Sequence, residues 1–272
     1  MAGLKRFFDA QNNSLEVTEY PFVSRKLSRE SRGYRIVQLS DLHGKLFGDS
    51  QQILAGKVED LRPNLIVFTG DLIDSSRGGE EAGLLLMERL TAIAPVYYVS
   101  GNHEWRAGKF ELLANRLAEA GVHVLRNERR IVKAGQSDIH LLGIDDPMRM
   151  KLPREEKRIV DEDIRALVAD IDVTNDFTVL LSHRPDMLDI YARHGIDLTF
   201  SGHAHGGQFR LPLIDGLYAP QQGLFPRYTA GRHRRGSSEL IINRGLGNSG
   251  FPQRLFNRPE IVMMELHGRQ DR

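Results

Sequence analysis

The sequence predicts an α/β protein organised on parallel strands, and three observations predict it. Strand-length apolar runs alternate with amphipathic stretches from Tyr34 to Gly121. The resulting β-α-β-α-β order calls for parallel pairing through right-handed crossovers. Each run also stops at a short polar segment holding Asp, Asn or His. Strand ends of this kind form the ligand-binding edge of open α/β sheets.

The elements follow in order. Tyr34-Arg-Ile-Val-Gln-Leu39 reads as a strand ending at Ser40-Asp-Leu-His-Gly44. From Ser50 to Leu61, apolar Ile53, Leu54, Val58 and Leu61 keep helical spacing, and Pro63 stops the helix. Leu65-Ile-Val-Phe-Thr69 is a second strand, followed by Gly70-Asp71, and Glu80 to Ala94 is a second helix. Val96-Tyr-Tyr-Val99 is a third strand, running into Gly101-Asn-His103. Lys109 to Ala120 is a third helix, closed by Gly121. Segments 122–125, 128–133 and 138–144 read as adjacent strands, and Arg154 to Ala169 as a helix. Strands at 177–181 and 197–200 end at Ser182-His183 and Ser201-Gly-His203. Beyond Gln208 the chain turns rich in Gly, Pro and Arg, with strands at 239–243 and 261–266.

No repeat, linker or low-complexity tract divides the 272 residues. They read as one domain, with its core at 34–266 and an N-terminal extension at 1–33 that carries an edge strand. Apolar residues at 40% and charged residues at 27% suit a soluble globular chain and exclude disorder as its main state. A net charge of +1 creates no global field, so nucleic acid is not expected as a partner. The absence of cysteine excludes disulfides, zinc–thiolate sites, iron–sulfur clusters and thiol nucleophiles. No apolar run approaches the roughly 18 residues of a membrane span, and the N-terminus lacks the apolar stretch of a signal peptide.

Five strand ends concentrate chemistry: Asp41 and His43; Asp71 and Asp74; Asn102 and His103; His183; His203 and His205. A lone residue of this kind is more often a turn cap or a hydrogen-bonded side chain. Five sets at successive strand ends point to a shared site with nitrogen and oxygen ligands. That donor set suits Mn, Fe, Zn, Co or Ni and argues against Cu(I). In extended backbone, the spacing of Asp41-x-His43 and His203-x-His205 would put each pair on one face. His123, His140, His194, His233 and His267 lack this placement and read as structural or exposed.

In sequence order, Asp41-Leu-His43, Gly70-Asp-Leu-Ile-Asp74, Gly101-Asn-His-Glu104, His183 and Gly202-His-Ala-His205 resemble the five signature blocks of the calcineurin-like metallophosphoesterases. The flanking text is similar to the bacterial YkuE/YaeI-like group: Ser40-Asp-Leu-His43, His205-Gly-Gly-Gln208, Gly245-Leu-Gly-Asn-Ser249 and Asn257-Arg-Pro-Glu260. The resemblance implies a four-layer α/β/β/α sandwich of two mixed sheets. Segments 122–144 and 239–266 are the expected second sheet. It also implies a phosphodiesterase with two divalent metal ions, manganese first and Fe, Zn, Ni or Co as alternatives. Asp41, His43 and His205 would hold one ion, Asp71 would bridge, and Asn102, His183 and His203 would complete the second. A hydroxide shared by the metals would attack phosphorus while His103 assists the leaving group. Asp74 would orient His103 and raise its pKa. Glu104 stands where many members have Asp, at a position that is not a ligand.

The substrate is less legible. Arg184 and Arg106 can bind phosphate oxygens, and each reads equally as a solvated rim residue. Arg232-His-Arg-Arg235 reads as a solvated loop or as a seat for an anionic head group, which would allow peripheral membrane contact. Leu217, Leu224, Phe225, Phe251 and Phe256 read as core filling or as an apolar wall beside the site. The resemblance allows a lipid-linked or cell-envelope phosphodiester or pyrophosphate. A nucleotide pyrophosphatase or phosphomonoesterase on the same site is the alternative. A protein-binding scaffold is the reading from another class, and the full ligand set speaks against it.

Overall fold

The structure is a computed structural model that describes residues 2–211 and 214–268. A helix α1 (Ala2–Asn13) and a strand β1 (Glu16–Ser24) precede the first run read from the sequence. Then come β2 (Tyr34–Leu39), α2 (Gln52–Asp60), β3 (Leu65–Phe68), α3 (Glu80–Thr91) and β4 (Val96–Tyr98). A short α4 (Asn102–Ala107), α5 (Phe110–Glu119) and β5 (His123–Val124) complete this first winding. The hairpin β6 (Glu128–Ala134) and β7 (Ser137–Gly143) opens the second, followed by α6 (Glu156–Val168), β8 (Phe177–Leu181), α7 (Leu188–Arg193) and β9 (Leu198–Ser201). Two small hairpins follow, β10 (Arg210–Leu211) with β11 (Ile214–Gly216) and β12 (Tyr218–Ala219) with β13 (Gly223–Leu224). The last strands are β14 (Gly231–Arg235), β15 (Ser238–Ile242) and β16 (Glu260–Gly268).

Two six-stranded mixed sheets result, in the orders β1-β16-β2-β3-β4-β5 and β14-β15-β9-β8-β7-β6. The expected division of strands between them needs correction. Segments 123–124 and 260–268 belong to the first sheet, and 177–181 and 198–201 to the second. The reason is that each sheet takes its own β-α-β run. β7, β8 and β9 pair in parallel through α6 and α7, as β2, β3 and β4 do through α2 and α3. β16 returns antiparallel to β2, with Met264 opposite Ile36, and leaves β1 on the edge.

Strand alternation builds the layers. On β2, Ile36 points between the sheets and packs in one cluster with Leu65, Val67, Leu141, Val179, Phe200 and Ile241. Val37 and Leu39 point outward and meet Leu54 and Val58 of α2 and Met87 and Leu90 of α3. On the far side, Leu142 and Leu180 pack against Val160 and Ile164 of α6 and Tyr191 of α7. Each central strand is thus buried on both faces, which is why these runs are continuously apolar. Ile53, read as a core-facing helix residue, is 52% exposed instead. Among the described residues, no helix is long and apolar enough to cross a membrane.

Candidate metal centre

The polar segments after β2, β3, β4, β8 and β9 meet at one edge. Donor atoms of Asp41, His43, Asp71 and His205 lie within 4.8 Å of one another. So do those of Asp71, His183 and His203, and those of His43, Asp74 and His103. Asp71 belongs to two of these groups. Asn102 opens α4 and lines the same cleft.

The convergence does not come from strand alternation. Asp41, His43, Asp71, His203 and His205 all have positive φ, between 48° and 69°. The i, i+2 pairs lie beyond the strand ends and are brought together by left-handed backbone. Such residues cost about 1–3 kcal/mol each and persist where their surroundings over-determine them. The surroundings do so here. His203 N–H donates to both oxygens of Asp41, at 3.1 and 3.0 Å. His103 N–H donates to Asp71 Oδ1 at 2.8 Å. A Cβ on Gly101 would stand 2.3 Å from that same oxygen, and one on Gly202 would stand 2.2 Å from Asp41 Oδ2.

Glu104 is fully buried and has a role the sequence did not disclose. Its carboxyl accepts the backbone N–H groups of Asp71 (3.0 Å), Ile73 (3.2 Å) and Gly101 (2.7 Å), clamping two site loops together. Burial, reinforced by the nearby Asp71 charge, pushes its pKa up to about 7. Asn257 is a second such residue, donating from Nδ2 to the carbonyls of His205 (2.7 Å) and Gln208 (3.1 Å). Its conspicuous Asn-Arg-Pro-Glu setting was the only sequence signal for it.

The imidazoles are oriented individually. His183 Nδ1 donates to Thr69 O at 2.7 Å, which leaves Nε2 facing Asp71 Oδ2 at 3.2 Å. Burial disfavours its charge, yet the Asp71 and Asp41 carboxylates push its pKa up to about 10. Burial raises the Asp71 carboxyl, but His183 and His43 hold it well below the ordinary carboxylate range. Two pairs of ring nitrogens stand only 3.0 Å apart, His43 Nε2 with His205 Nε2 and His183 Nε2 with His203 Nδ1. Among the described residues the buried Asn102 Oδ1 has no hydrogen-bond partner. Ring nitrogens, carboxylate oxygens and an unpartnered amide oxygen converging in this way fit hard or borderline divalent cations.

His103 and Asp74 depart from expectation. Asp74 Oδ2 lies 3.9 Å from His103 Nδ1, beyond hydrogen-bond reach. The hydrogen bond to that nitrogen comes from Ser75 N–H, at 3.0 Å. Asp74 instead holds the turn, accepting from the N–H groups of Ser76 and Arg77 (2.9 Å each) and from the Arg77 guanidinium (2.7 Å). The His103 pKa is lowered, because burial outweighs the Asp71 and Asp74 charges.

The cleft over the centre measures about 220 Å³ and is lined by Asp71, Asn102, His103, Arg106, His203 and His205, with Tyr218, Pro220 and Gln221 on one hairpin and Ser249 and Gly250 on a separate loop. Arg106 is exposed at its rim. Arg184 is not a rim residue. Its side chain is fully buried and ion-paired to Asp146, Glu156 and Asp186, so its charge is spent inside the protein. The basic run is β14, where Arg232 and Arg234 pair with Glu239 and Arg235 with Asp189, which weakens it as an anion seat. Leu224, Phe225, Phe251 and Phe256 are more than half exposed, so they are not core filling. Leu217, Leu224 and Phe251 join Phe209 and Tyr218 around an apolar cleft of about 400 Å³. Gln208, Tyr218, Ser249 and Gly250 line both clefts. The remaining histidines lie outside the donor groups; His194 pairs with Asp161, His267 with Glu265, and His123 stacks on Tyr97.

The chain is similar to known proteins. The calcineurin-like phosphoesterase signature matches residues 34–207. The uncharacterized metallophosphoesterase YkuE of Bacillus subtilis is 29% identical over 257 residues, covering 93% of this chain and 85% of that protein. Phosphodiesterase YaeI of Escherichia coli is 30% identical over 242 residues, covering 86% and 82%. A dimetal phosphatase from Danio rerio superposes with a TM-score of 0.50 at 13% identity, over 79% of this chain and 88% of that one. TT1561 of Thermus thermophilus gives 0.51 at 11%, over 78% and 90%. At such identities the two structures bear on the fold, and both agree with the two-sheet architecture. With the signature running through most of the chain and two relatives aligned along nearly all of it, the chain belongs to the calcineurin-like phosphoesterases.

Proposed function

We propose that the chain hydrolyses phosphodiesters with two divalent cations, manganese first. Asp41, His43 and His205 would hold one, Asn102, His183 and His203 the other, and Asp71 both. The observation that carries this reading is the pair of buried donor groups that share Asp71. Cations bound there would polarise phosphoryl oxygens and lower the pKa of water toward neutrality.

The chain's own groups supply the rest. Because Nδ1 of His103 accepts from Ser75 N–H, the ring's proton resides on Nε2. That N–H can donate to the leaving oxygen as charge develops, a contribution of about 10²–10⁴-fold. The lowered His103 pKa favours the neutral ring acting as donor over a standing imidazolium. Arg106 is available to a non-bridging oxygen. The name of the YaeI relative supports a diester over a monoester.

The apolar cleft supports a substrate with an apolar portion, such as a lipid-linked ester. The exposed phenylalanines support contact of this face with a lipid surface. Phe7, Phe8, Phe225, Phe251 and Phe256 lie on α1 or on the loops around the clefts, Phe7 meets Phe256 edge-on at 6.0 Å, and Lys5 and Arg6 flank the pair on α1. Bis-p-nitrophenyl phosphate and p-nitrophenyl phosphate, assayed side by side with Mn²⁺, test the reaction class. A kcat/KM at least about tenfold higher for the diester is expected, equivalent to about 1.4 kcal/mol. Equal turnover or monoester preference would move the assignment to a phosphomonoesterase, and no turnover of either to a binding scaffold.

A further inference from the structure

We propose that Gln221, on the β12–β13 turn, is a positioning residue that fixes the ring of His203 for the second cation. The inference rests on the two-cation reading. Nδ1 of His203 stands 3.0 Å from His183 Nε2, on the side where Asp71 gathers. Nε2 points the other way and lies 2.5 Å from Gln221 Oε1. An amide oxygen only accepts, so this contact keeps the ring proton on Nε2 and turns the Nδ1 lone pair toward the donor group. Partners of this kind, contacting the outer nitrogen of a ligating histidine, set its tautomer and basicity, and losing one costs about 10–100-fold in metal affinity.

Two features make Gln221 more than a neighbour. The first is how it is held. It sits at φ 59° in a turn whose next residue is tied down at both ends: Gln222 Nε2 donates to Tyr228 O at 2.8 Å, and Tyr228 N–H donates to Gln222 Oε1 at 2.9 Å. The second is what else the hairpin touches. His183 receives its outer contact from Thr69 O, a buried residue just past β3. His203 receives its contact from a surface hairpin whose Tyr218 walls both clefts and whose Leu224 lines the apolar one. The alignment of one donor is thus entrusted to the segment that a substrate's apolar portion would press against.

The test uses the full chain, stripped of metal and titrated with Mn²⁺ by calorimetry. Long-range ¹H–¹⁵N spectra of the metal-free protein report the imidazole tautomers. Gln221 is exposed, so its substitution leaves the core intact. Gln221→Leu should weaken one of two sites by about 10–100-fold, leave the other unchanged, and give His203 a mixed tautomer signal. Gln221→Glu, which retains an acceptor, should restore both readouts. Wild-type affinity at both sites in Gln221→Leu would overturn the proposal, as would equal losses in the Leu and Glu variants. Failure of the wild-type protein to bind two ions would refute the two-cation reading itself, a distinct result.

Discussion

His103 has one ring nitrogen committed to the Ser75 N–H and only the other free to face a substrate. Removing the ring in His103→Ala should lower kcat on the diester by about 10²–10⁴-fold while metal content stays at the wild-type level. His103→Gln, whose amide still donates, should recover part of that loss; steady-state kinetics beside metal analysis checks both. A variant as inactive as His103→Ala through loss of metal would instead make His103 a determinant of cation binding. At this scale, the residues that gather at the candidate centre were legible because ligand chemistry is written in side-chain type. How they are held was not. The Ser75 N–H, the three backbone donors on Glu104 and the Gln221 contact all depend on which loops meet in space. Arg184 shows the converse error, since adjacency to His183 in sequence says nothing of the three carboxylates that bury its charge.

Elements deliver these residues through turns of unusual backbone, and the glycines between strands make the turns fit. In Gly101→Ala the new methyl would meet Asp71 Oδ1 at 2.3 Å and Asp71 N at 2.5 Å. Overpacking of that kind costs about 1–3 kcal/mol of stability. Because Asp71 belongs to both donor groups, affinity for both cations should fall together, whereas Gln221→Leu affects one. Urea denaturation with metal titration measures the two effects, and wild-type affinities in Gly101→Ala would contradict the shared role of Asp71. The β-α-β run of the first sheet was readable because strand-length apolar runs alternate with stretches of helical period. The allocation of later strands was not, because 177–181 and 260–268 are equally apolar and only pairing partners separate them. Helix α1 escaped notice although Leu4, Phe7 and Phe8 keep the i, i+3, i+4 spacing of an amphipathic helix; its stripe is short, and all three side chains are at least 37% exposed rather than core-facing.

At the scale of the whole molecule, two α/β windings pack face to face and bring five segments, spread from Asp41 to His205, to one edge. Their coherence as a charge system depends on what they enclose. Asp41 and Asp71 face imidazoles, and the two carboxylates push the pKa of His183 up to about 10 against its burial. The central claim is therefore a stoichiometry. The most direct measurement is to strip the protein with a chelator, titrate it with Mn²⁺, and count bound ions per chain by mass spectrometry while following thermal unfolding. The account predicts two ions per chain, one or none after Asp71→Ala. It also predicts a rise in melting temperature on metal binding, with stabilisation of about 2.7 kcal/mol for each site at a free ion concentration 100 times its Kd. A wild-type chain that takes up no ion and melts at the same temperature with and without Mn²⁺ would contradict it.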